Sequence, residues 1–139
     1  MLEIESNKLS YLLNISETNV LLSRLFYKYY MKDHSLGEFE ELVLLMVAAL
    51  HNEAYGVLIL ENLEEKLKKS VNISAVHVVL KRMEEKGFVK SRFGGITEER
   101  GGRRKKFYVI TSLGKRILDN QYALRTSIYN QIPKISFNG

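Results

Sequence analysis

The 139-residue chain has no cysteine, and its only proline is Pro133. Without cysteine there are no disulfides, no thiolate zinc sites and no cysteine nucleophile, and the composition is compatible with a cytoplasmic protein. The three histidines, His34, His51 and His77, lie far apart and show no metal-ligand spacing. Near the N-terminus, polar residues interrupt the apolar ones too often for a membrane span or a signal peptide. We therefore expect no metal, no cofactor and no membrane partner.

Enzymatic motifs are also lacking. The pairs Gly94-Gly95 and Gly101-Gly102 do not follow the spacing of a P-loop or of a dinucleotide fingerprint. No acid, base and nucleophile form a set along the chain. The sequence therefore indicates a protein that is not an enzyme.

Positive charge is concentrated in one segment. The chain has a formal charge of +5, and between Lys86 and Lys106 eight basic residues stand against Glu98 and Glu99, which leaves +6 there. The basic residues are Lys86, Lys90, Arg92, Arg100, Arg103, Arg104, Lys105 and Lys106. Such a cluster favours a nucleic acid as partner, the alternative being a charged loop that keeps a hairpin soluble.

Two helices are predicted ahead of this segment. After Gly37 the nearly unbroken apolar run Leu42–Leu50 predicts a helix that is buried on two sides. A second helix is predicted to begin at Tyr55-Gly56 and to end near Lys69, with leucines on one face and charges on the other.

A third helix is predicted over Ile73–Lys86, with Asn72 as its N-cap and Gly87 as the left-handed residue after its end. Helical spacing predicts a buried stripe of Val76, Leu80 and Met83. The opposite side carries Ser74, Val78, Lys81 and Glu85, with His77 and Arg82 at its flanks. An outward Val78 has no role in the core.

A hairpin and a last helix complete the pattern. Short strands are predicted over 88–93 and 105–110, joined by a long loop that carries both glycine pairs. Thr111 is predicted to cap a helix that stops before Pro133. Its apolar positions are Leu113, Ile117, Leu124 and Ile128. The order of elements is that of a winged helix-turn-helix domain, which is mainly α with a small β-hairpin (α+β).

Four segments carry a family resemblance that extends from Leu36 to Asn120. They are Gly37–Leu44, Ala54–Gly56, Leu80–Val89 and, most specific, Thr97–Tyr108 followed by Ile110, Thr111 and Gly114. Together they resemble the PadR family of bacterial winged-helix regulators. The chain departs from that pattern at His77, where relatives commonly have tyrosine, and near Ser74, where they have glycine or threonine. These departures bear on the operator sequence.

The resemblance implies a homodimeric, sequence-specific DNA-binding transcriptional regulator, usually a repressor. It implies a winged-helix domain over 31–112, a dimerisation helix over 113–132 and a tail over 133–139. The first helix, with its run Leu42–Leu50, and the last helix would form the dimer, and twofold symmetry would then require a roughly palindromic operator. A small-molecule effector is implied more weakly, since no residue identifies it.

In such a regulator the third helix enters the major groove and the wing, 94–106, contacts the backbone or the minor groove. The predicted DNA contacts are Ser74, His77, Val78, Lys81, Arg100, Arg103, Arg104 and Lys105. For His77 an equal alternative is that it is a neutral surface residue without a function. For Lys81 and Arg82 the alternative is that they belong to a solvated helix face. The alternative function is a winged-helix protein-interaction module, for which we expect a neutral wing.

Residues 1–30 lie outside the resemblance. Their richness in Asn, Ile, Leu, Ser and Tyr is typical of translated AT-rich upstream DNA, which predicts Met31 as the start. The alternative is an extra amphipathic helix, Glu17–Tyr30, that packs on the dimer.

Overall fold

The computed structural model describes residues 21–22, 24–25, 34–96 and 104–135. The chain divides into two compact units, residues 1–35 and 36–139. In the first unit Leu21, Leu22, Arg24 and Leu25 are helical, and the three leucines are exposed. The remainder of the predicted N-terminal helix and the predicted start at Met31 lie outside the described residues and stay predictions.

The second unit contains the elements of a winged helix. In chain order they are α1 (Glu38–Leu50), a 3-10 turn (His51–Glu53), β1 (Ala54–Tyr55), α2 (Gly56–Leu67), α3 (Ile73–Glu85), β2 (Val89–Ile96), β3 (Arg104–Ile110) and α4 (Ser112–Tyr129). The strands form an antiparallel sheet in the order β1, β3, β2. The predicted class, mainly α with a small β-hairpin, is confirmed.

The signals at the ends of α3 act as the sequence predicts. The side chain of Asn72 accepts a hydrogen bond from the backbone N–H of Ser74 at 2.8 Å, which caps the first turn. After the helix, Gly87 has a φ of +78°, a conformation that costs glycine little. The helix ends one residue earlier than predicted, with Lys86 as its C-cap.

One strand was missed, and several element boundaries differ from the prediction by one to three residues. Strand β1 was not predicted, because two residues are too few to show an alternating pattern. Helix α2 ends at Leu67, ahead of the predicted Lys69, since Lys68 takes a left-handed conformation with a φ of 54°. Strand β2 continues through the first glycine pair, predicted as loop, because the hairpin ladder resumes at Ile96 after an irregularity that follows Phe93.

The core lies between the three N-terminal helices and one face of the sheet. Its fully buried residues include Val43, Leu44 and Val47 of α1, together with Phe88. The predicted buried stripe of α3, Val76, Leu80 and Met83, is confirmed, and Val79 joins it. Within the described ranges no buried polar or charged residue occurs, and no helix is both long and apolar enough to cross a membrane.

Within this chain one side of the apolar run of α1 is buried, and the second side stays a prediction because a partner copy would have to cover it. Val43, Leu44 and Val47 face the core, whereas Leu45 is 45% exposed and Ala49 is exposed. An unbroken apolar run places apolar residues at every position around the helix, so its pattern cannot show which side meets the core.

The apolar stripe of α4 divides along its length. Leu113 and Ile117, in the first half of the helix, pack against the core. Leu124 and Ile128, in the second half, are 58% and 57% exposed. An 18-residue helix is about 27 Å long and so extends past the core that covers its first turns.

Candidate nucleic-acid interface

The outward side of α3 is where the sequence-predicted helix contacts lie. All four are exposed: Ser74, His77, Val78 and Lys81. The side chain of Val78 is 56% exposed, which is unusual for an aliphatic residue in the middle of an amphipathic helix. Glu85 lies one turn beyond Lys81 and is exposed as well. This surface presents a hydroxyl, an imidazole, an aliphatic group and an ammonium group along one side of a helix.

His77 combines exposure with a packing contact. A Cβ atom built on Gly56, the first residue of α2, would lie 2.6 Å from Cε1 of the His77 ring. The imidazole therefore lies directly on the start of α2, where any residue other than glycine would push it away. The absence of a side chain at Gly56 leaves room for the ring of His77 in this position.

Arg82 of α3 and Lys86, the C-cap of that helix, are paired inside the molecule. Arg82 donates to the Glu40 carboxylate of α1 at 2.6 Å, and the ammonium group of Lys86 lies 4.0 Å from the same carboxylate. Glu40 also accepts a hydrogen bond from the backbone N–H of Gly37. Although burial raises the pKa of Glu40, these bonds and charges outweigh burial, so the pKa lies below its usual value. Lys86 and Arg82 thus brace α3 against α1.

Alternation along the hairpin divides the wing strands into two faces. Ser91 pairs with Tyr108 and Phe93 with Lys106, and paired residues share a face. We call one face the inner wing face, formed by Ser91, Phe93, Arg104, Lys106 and Tyr108. The other is the outer wing face, formed by Lys90, Arg92, Lys105 and Phe107.

The inner wing face is joined to α3 through Glu84. The carboxylate of Glu84 accepts hydrogen bonds from the Ser91 hydroxyl and, at 3.3 Å, from the Lys106 ammonium group. The Ser91 hydrogen bond, aided by Lys106, holds the pKa of Glu84 below its usual value. Tyr108 lies beside this cluster with 6% exposure, and burial raises the pKa of its phenol. The contacts fix the orientation of the wing relative to α3.

The outer wing face carries cations stacked on aromatic rings. The ammonium group of Lys105 lies 4.4 Å from the Tyr55 ring centroid, and the Arg92 guanidinium lies 4.8 Å from that of Phe107. The two rings meet edge to face at 5.7 Å, and Arg92 donates to the backbone carbonyl of Asn52 at 3.1 Å. Lys105, a predicted DNA contact, therefore lies on the face opposite to Lys106.

The wing residues predicted as DNA contacts fall into three groups. Arg104 is exposed and lies on the inner wing face, Lys105 is half-buried on the outer face, and Arg100 and Arg103 lie outside the described residues. The sequence reasoning did not select Glu84 and Lys106 as a link between helix and wing. Strand alternation, counted outward from the buried Val89, would have placed Lys106 on the side of α3.

A cavity of about 450 Å³ lies between the start of α1 and the turn that precedes α3. Its apolar wall includes Phe39, Leu42 and Leu67, and Asn72 and Ala75 belong to the start of α3. Volumes of this size are common for small-molecule sites. None of these residues identifies a ligand, so the effector stays a prediction.

Comparison with known proteins gives one family and a consistent set of folds. The family model described as the transcriptional regulator PadR-like family matches residues 44–120. A PadR family transcription regulator from Clostridium difficile is 26% identical, with a TM-score of 0.52 over 68% of this chain and 97% of that one. A PadR-like transcription factor from Bacteroides fragilis is 20% identical, with a TM-score of 0.56 over 76% of this chain and 94% of that one. No match was found among the curated proteins.

A transcriptional regulator from Clostridium thermocellum is 19% identical, with a TM-score of 0.51 over 76% of this chain and 98% of that one. At these identities the structures from B. fragilis and C. thermocellum show the fold alone. The family model covers more than half of the chain, and it includes α3, both wing strands and the first half of α4. This protein belongs to the PadR-like family of transcriptional regulators.

Proposed function

We propose that this protein is a homodimeric, sequence-specific DNA-binding repressor in which α3 enters the major groove and the wing contacts the backbone or the minor groove. The observation that carries the proposal is the composition of one continuous surface. The exposed side of α3 and the inner wing face are linked through Glu84, and both present basic groups.

The side chains of α3 suit the reading of bases. Hydroxyl and imidazole groups form hydrogen bonds with base edges, an exposed valine packs on a thymine methyl group, and a lysine reaches guanine acceptors or a phosphate. Ser74, His77, Val78 and Lys81 offer these groups in turn, starting at the N-terminal end of the helix. That end usually meets base edges in helix-turn-helix proteins. We therefore assign sequence choice to these four residues.

The wing suits the phosphate backbone. Arg104 is exposed on β3, and Arg100 and Arg103 precede it in the basic segment. Cations that neutralise phosphates release condensed counterions, which makes the affinity fall steeply with salt. We therefore assign affinity and salt dependence to the wing. A protein-interaction module is the weaker candidate, because a segment with a net charge of +6 favours an anionic partner.

The dimer in this proposal is formed by the second half of α4 with the open side of α1. Leu124 and Ile128 are one helical turn apart and exposed, and Leu45 of α1 is exposed too. Glu41, one turn before Leu45, accepts hydrogen bonds from Gln121 and Arg125 of α4. The exposed apolar groups of both helices thus belong to neighbouring surfaces, and a second copy would cover them.

The test is a pair of matched double variants. Lys81→Ala with Arg104→Ala removes one cation from α3 and one from the wing, and Arg116→Ala with Lys134→Ala removes two exposed cations from α4 and the segment after it. Fluorescence anisotropy measures binding to a labelled duplex from upstream of the protein's own coding region. We expect the first variant to bind about 10 to 100 times more weakly and to make the negative slope of log K against log salt shallower by about 1 if Lys81 contacts a base, or by about 2 if it contacts a phosphate.

The control variant should keep both the affinity and the slope. Equal losses in both variants would mean that only net charge matters, which contradicts the assignment of α3 and the wing. If the wild-type protein binds neither its upstream duplex nor an unrelated duplex of equal length, DNA binding itself is refuted.

A further inference from the structure

Phe93 is the exposed end of an otherwise buried row. On the inner wing face, Val89 is 2% exposed, Ser91 is half-buried and Phe93 is 64% exposed. Phe93 is also the last residue of β2 before the irregularity in its pairing with β3. The sheet face that begins in the core thus ends in a phenylalanine beyond the cover of the helices.

A chain of contacts places Phe93 beside the outward side of α3. The Lys106 ammonium group lies 6.0 Å from the Phe93 ring centroid and 3.3 Å from the carboxylate of Glu84. Glu84 lies one turn from Lys81, and residues three apart on a helix are surface neighbours. The ring therefore borders the surface formed by α3 and the inner wing face.

The charged residues around Phe93 indicate what kind of molecule its ring would contact. A single exposed aromatic residue is ordinary on a soluble protein, so the position of the ring is the informative feature. Lys81, Lys106 and Arg104 lie along the same surface, and the nearby carboxylate of Glu84 is already engaged by Ser91 and Lys106. An apolar ring with cations around it complements a nucleic acid, where apolar sugar edges lie between phosphates.

We propose that Phe93 contacts DNA and that its ring packs against deoxyribose beside the groove entered by α3. The proposal rests on the proposed function and adds to it an apolar contact from the wing. Lys106, which is bound by Glu84, lies over the ring, and Arg104 contacts the adjoining phosphates. An apolar contact neutralises no phosphate, so its contribution to affinity does not depend on counterion release.

This difference in salt dependence gives the first measurement. We expect Phe93→Ala to weaken binding to the upstream duplex about tenfold at every salt concentration, with the slope of log K against log salt unchanged. Arg104→Ala is the matched comparison from the same face and should make that negative slope shallower by about 0.9. Phe93→Leu, which keeps an apolar side chain, should stay within about threefold of the wild type. Thermal unfolding verifies that each variant is folded.

The second measurement reports the contact directly. The chain has no tryptophan, so Phe93→Trp introduces a single tryptophan, whose emission is read apart from that of the tyrosines by excitation at the long-wavelength edge. Its emission should move to shorter wavelength, or be quenched, when the duplex is added. Asp119→Trp, at a position in the first half of α4 whose side chain is 61% exposed, is the control and should not respond.

The outcomes separate this proposal from the function on which it rests. If Lys81→Ala with Arg104→Ala weakens binding while Phe93→Ala does not, and the fluorophore at position 93 ignores DNA, the Phe93 contact is refuted and DNA binding stands. A fluorophore that responds to protein concentration without DNA would assign the ring to self-association and would also overturn the proposal. If the wild type binds no duplex, both proposals fail together.

Discussion

The α3–wing surface and the second half of α4 leave opposite kinds of side chain exposed. The exposed large apolar residues of the first region are Val78 and Phe93, amid lysine and arginine. Those of α4 and the segment after it are Tyr122, Leu124, Ile128, Tyr129, Ile132 and Ile135. One region thus has unneutralised charge at its surface and the other has uncovered apolar area. Each needs a different partner.

Internal pairing sharpens this contrast. At the α3–wing surface, Arg82 and Lys106 are bound to carboxylates of the same chain. Lys81 and Arg104 have no ion pair with any residue that the structure describes. The paired cations brace the surface while the unpaired ones face outward. The number of basic residues therefore overstates how many are free to contact an anionic partner.

The largest effect is expected where the apolar region is given a charge. Ile128→Asp should convert the proposed dimer into monomers, because twofold symmetry would place two unpaired carboxylates in the interface and remove two apolar side chains. Each such side chain contributes about 1.5 to 3 kcal/mol when buried, so association should weaken at least about 100-fold. Sedimentation equilibrium measures the dissociation constant.

Ala123→Asp is the matched control for the dimer. Ala123 is exposed and lies about 100° from Leu124 and about 140° from Ile128 around α4, so the same charge placed there should leave association unchanged. Equal dissociation constants for the two variants would remove the basis for separating the regions, and an unaltered dimer in Ile128→Asp would place the interface elsewhere.

A smaller effect is expected from Gly56→Ala, at the contact between α2 and α3. The added Cβ would meet the His77 ring, and a ring that is partly exposed can swing outward. We expect a loss of about 1 kcal/mol in the free energy of unfolding, at the low end for overpacking. Urea denaturation of the single variant, of His77→Ala and of the double variant measures this as a cycle.

In that cycle the double variant should be about as stable as His77→Ala alone, because the ring that meets the new methyl group is gone. Purely additive losses would show that the contact does not hold His77. The outward side of α3 would then be positioned by its core stripe alone.

The sequence predicted the helices well because each has signals within its own residues. Asn72 and Gly87 bound α3, and its apolar spacing selects the side that meets the core. For α1 the same reasoning could not select the side that meets the core, since a run without polar residues has no preferred side. Strand β1 was missed because it exists only through its pairing with Phe107 and Tyr108, which lie more than fifty residues further along the chain.

Individual residues of the candidate site could be predicted from the sequence, but their arrangement into one surface could not. Exposure of Ser74, Val78 and Lys81 follows from the period of one helix. The link from Glu84 to Lys106 joins residues 22 positions apart and depends on how the hairpin crosses α3. Without the strand pairing, the adjacent residues Lys105 and Lys106 look equivalent, and the sequence analysis selected Lys105. In the structure the two lysines lie on opposite faces of the sheet.

The smallest effect tests that link between helix and wing. The folded pKa of Glu84 is below its ordinary value near 4.5, so the carboxylate stabilises the fold above the unfolded pKa and loses this contribution as the pH falls through the folded value. At neutral pH Glu84→Gln should lower the free energy of unfolding by about 0.5 kcal/mol, because the side chains are partly exposed and screened. The difference from wild type should vanish in urea titrations below the lowered pKa.

Glu85→Gln, which removes the same charge from the neighbouring exposed residue, should show no such pH dependence. If both variants behave alike, the wing is held to α3 by Tyr108 and its apolar neighbours rather than by Glu84.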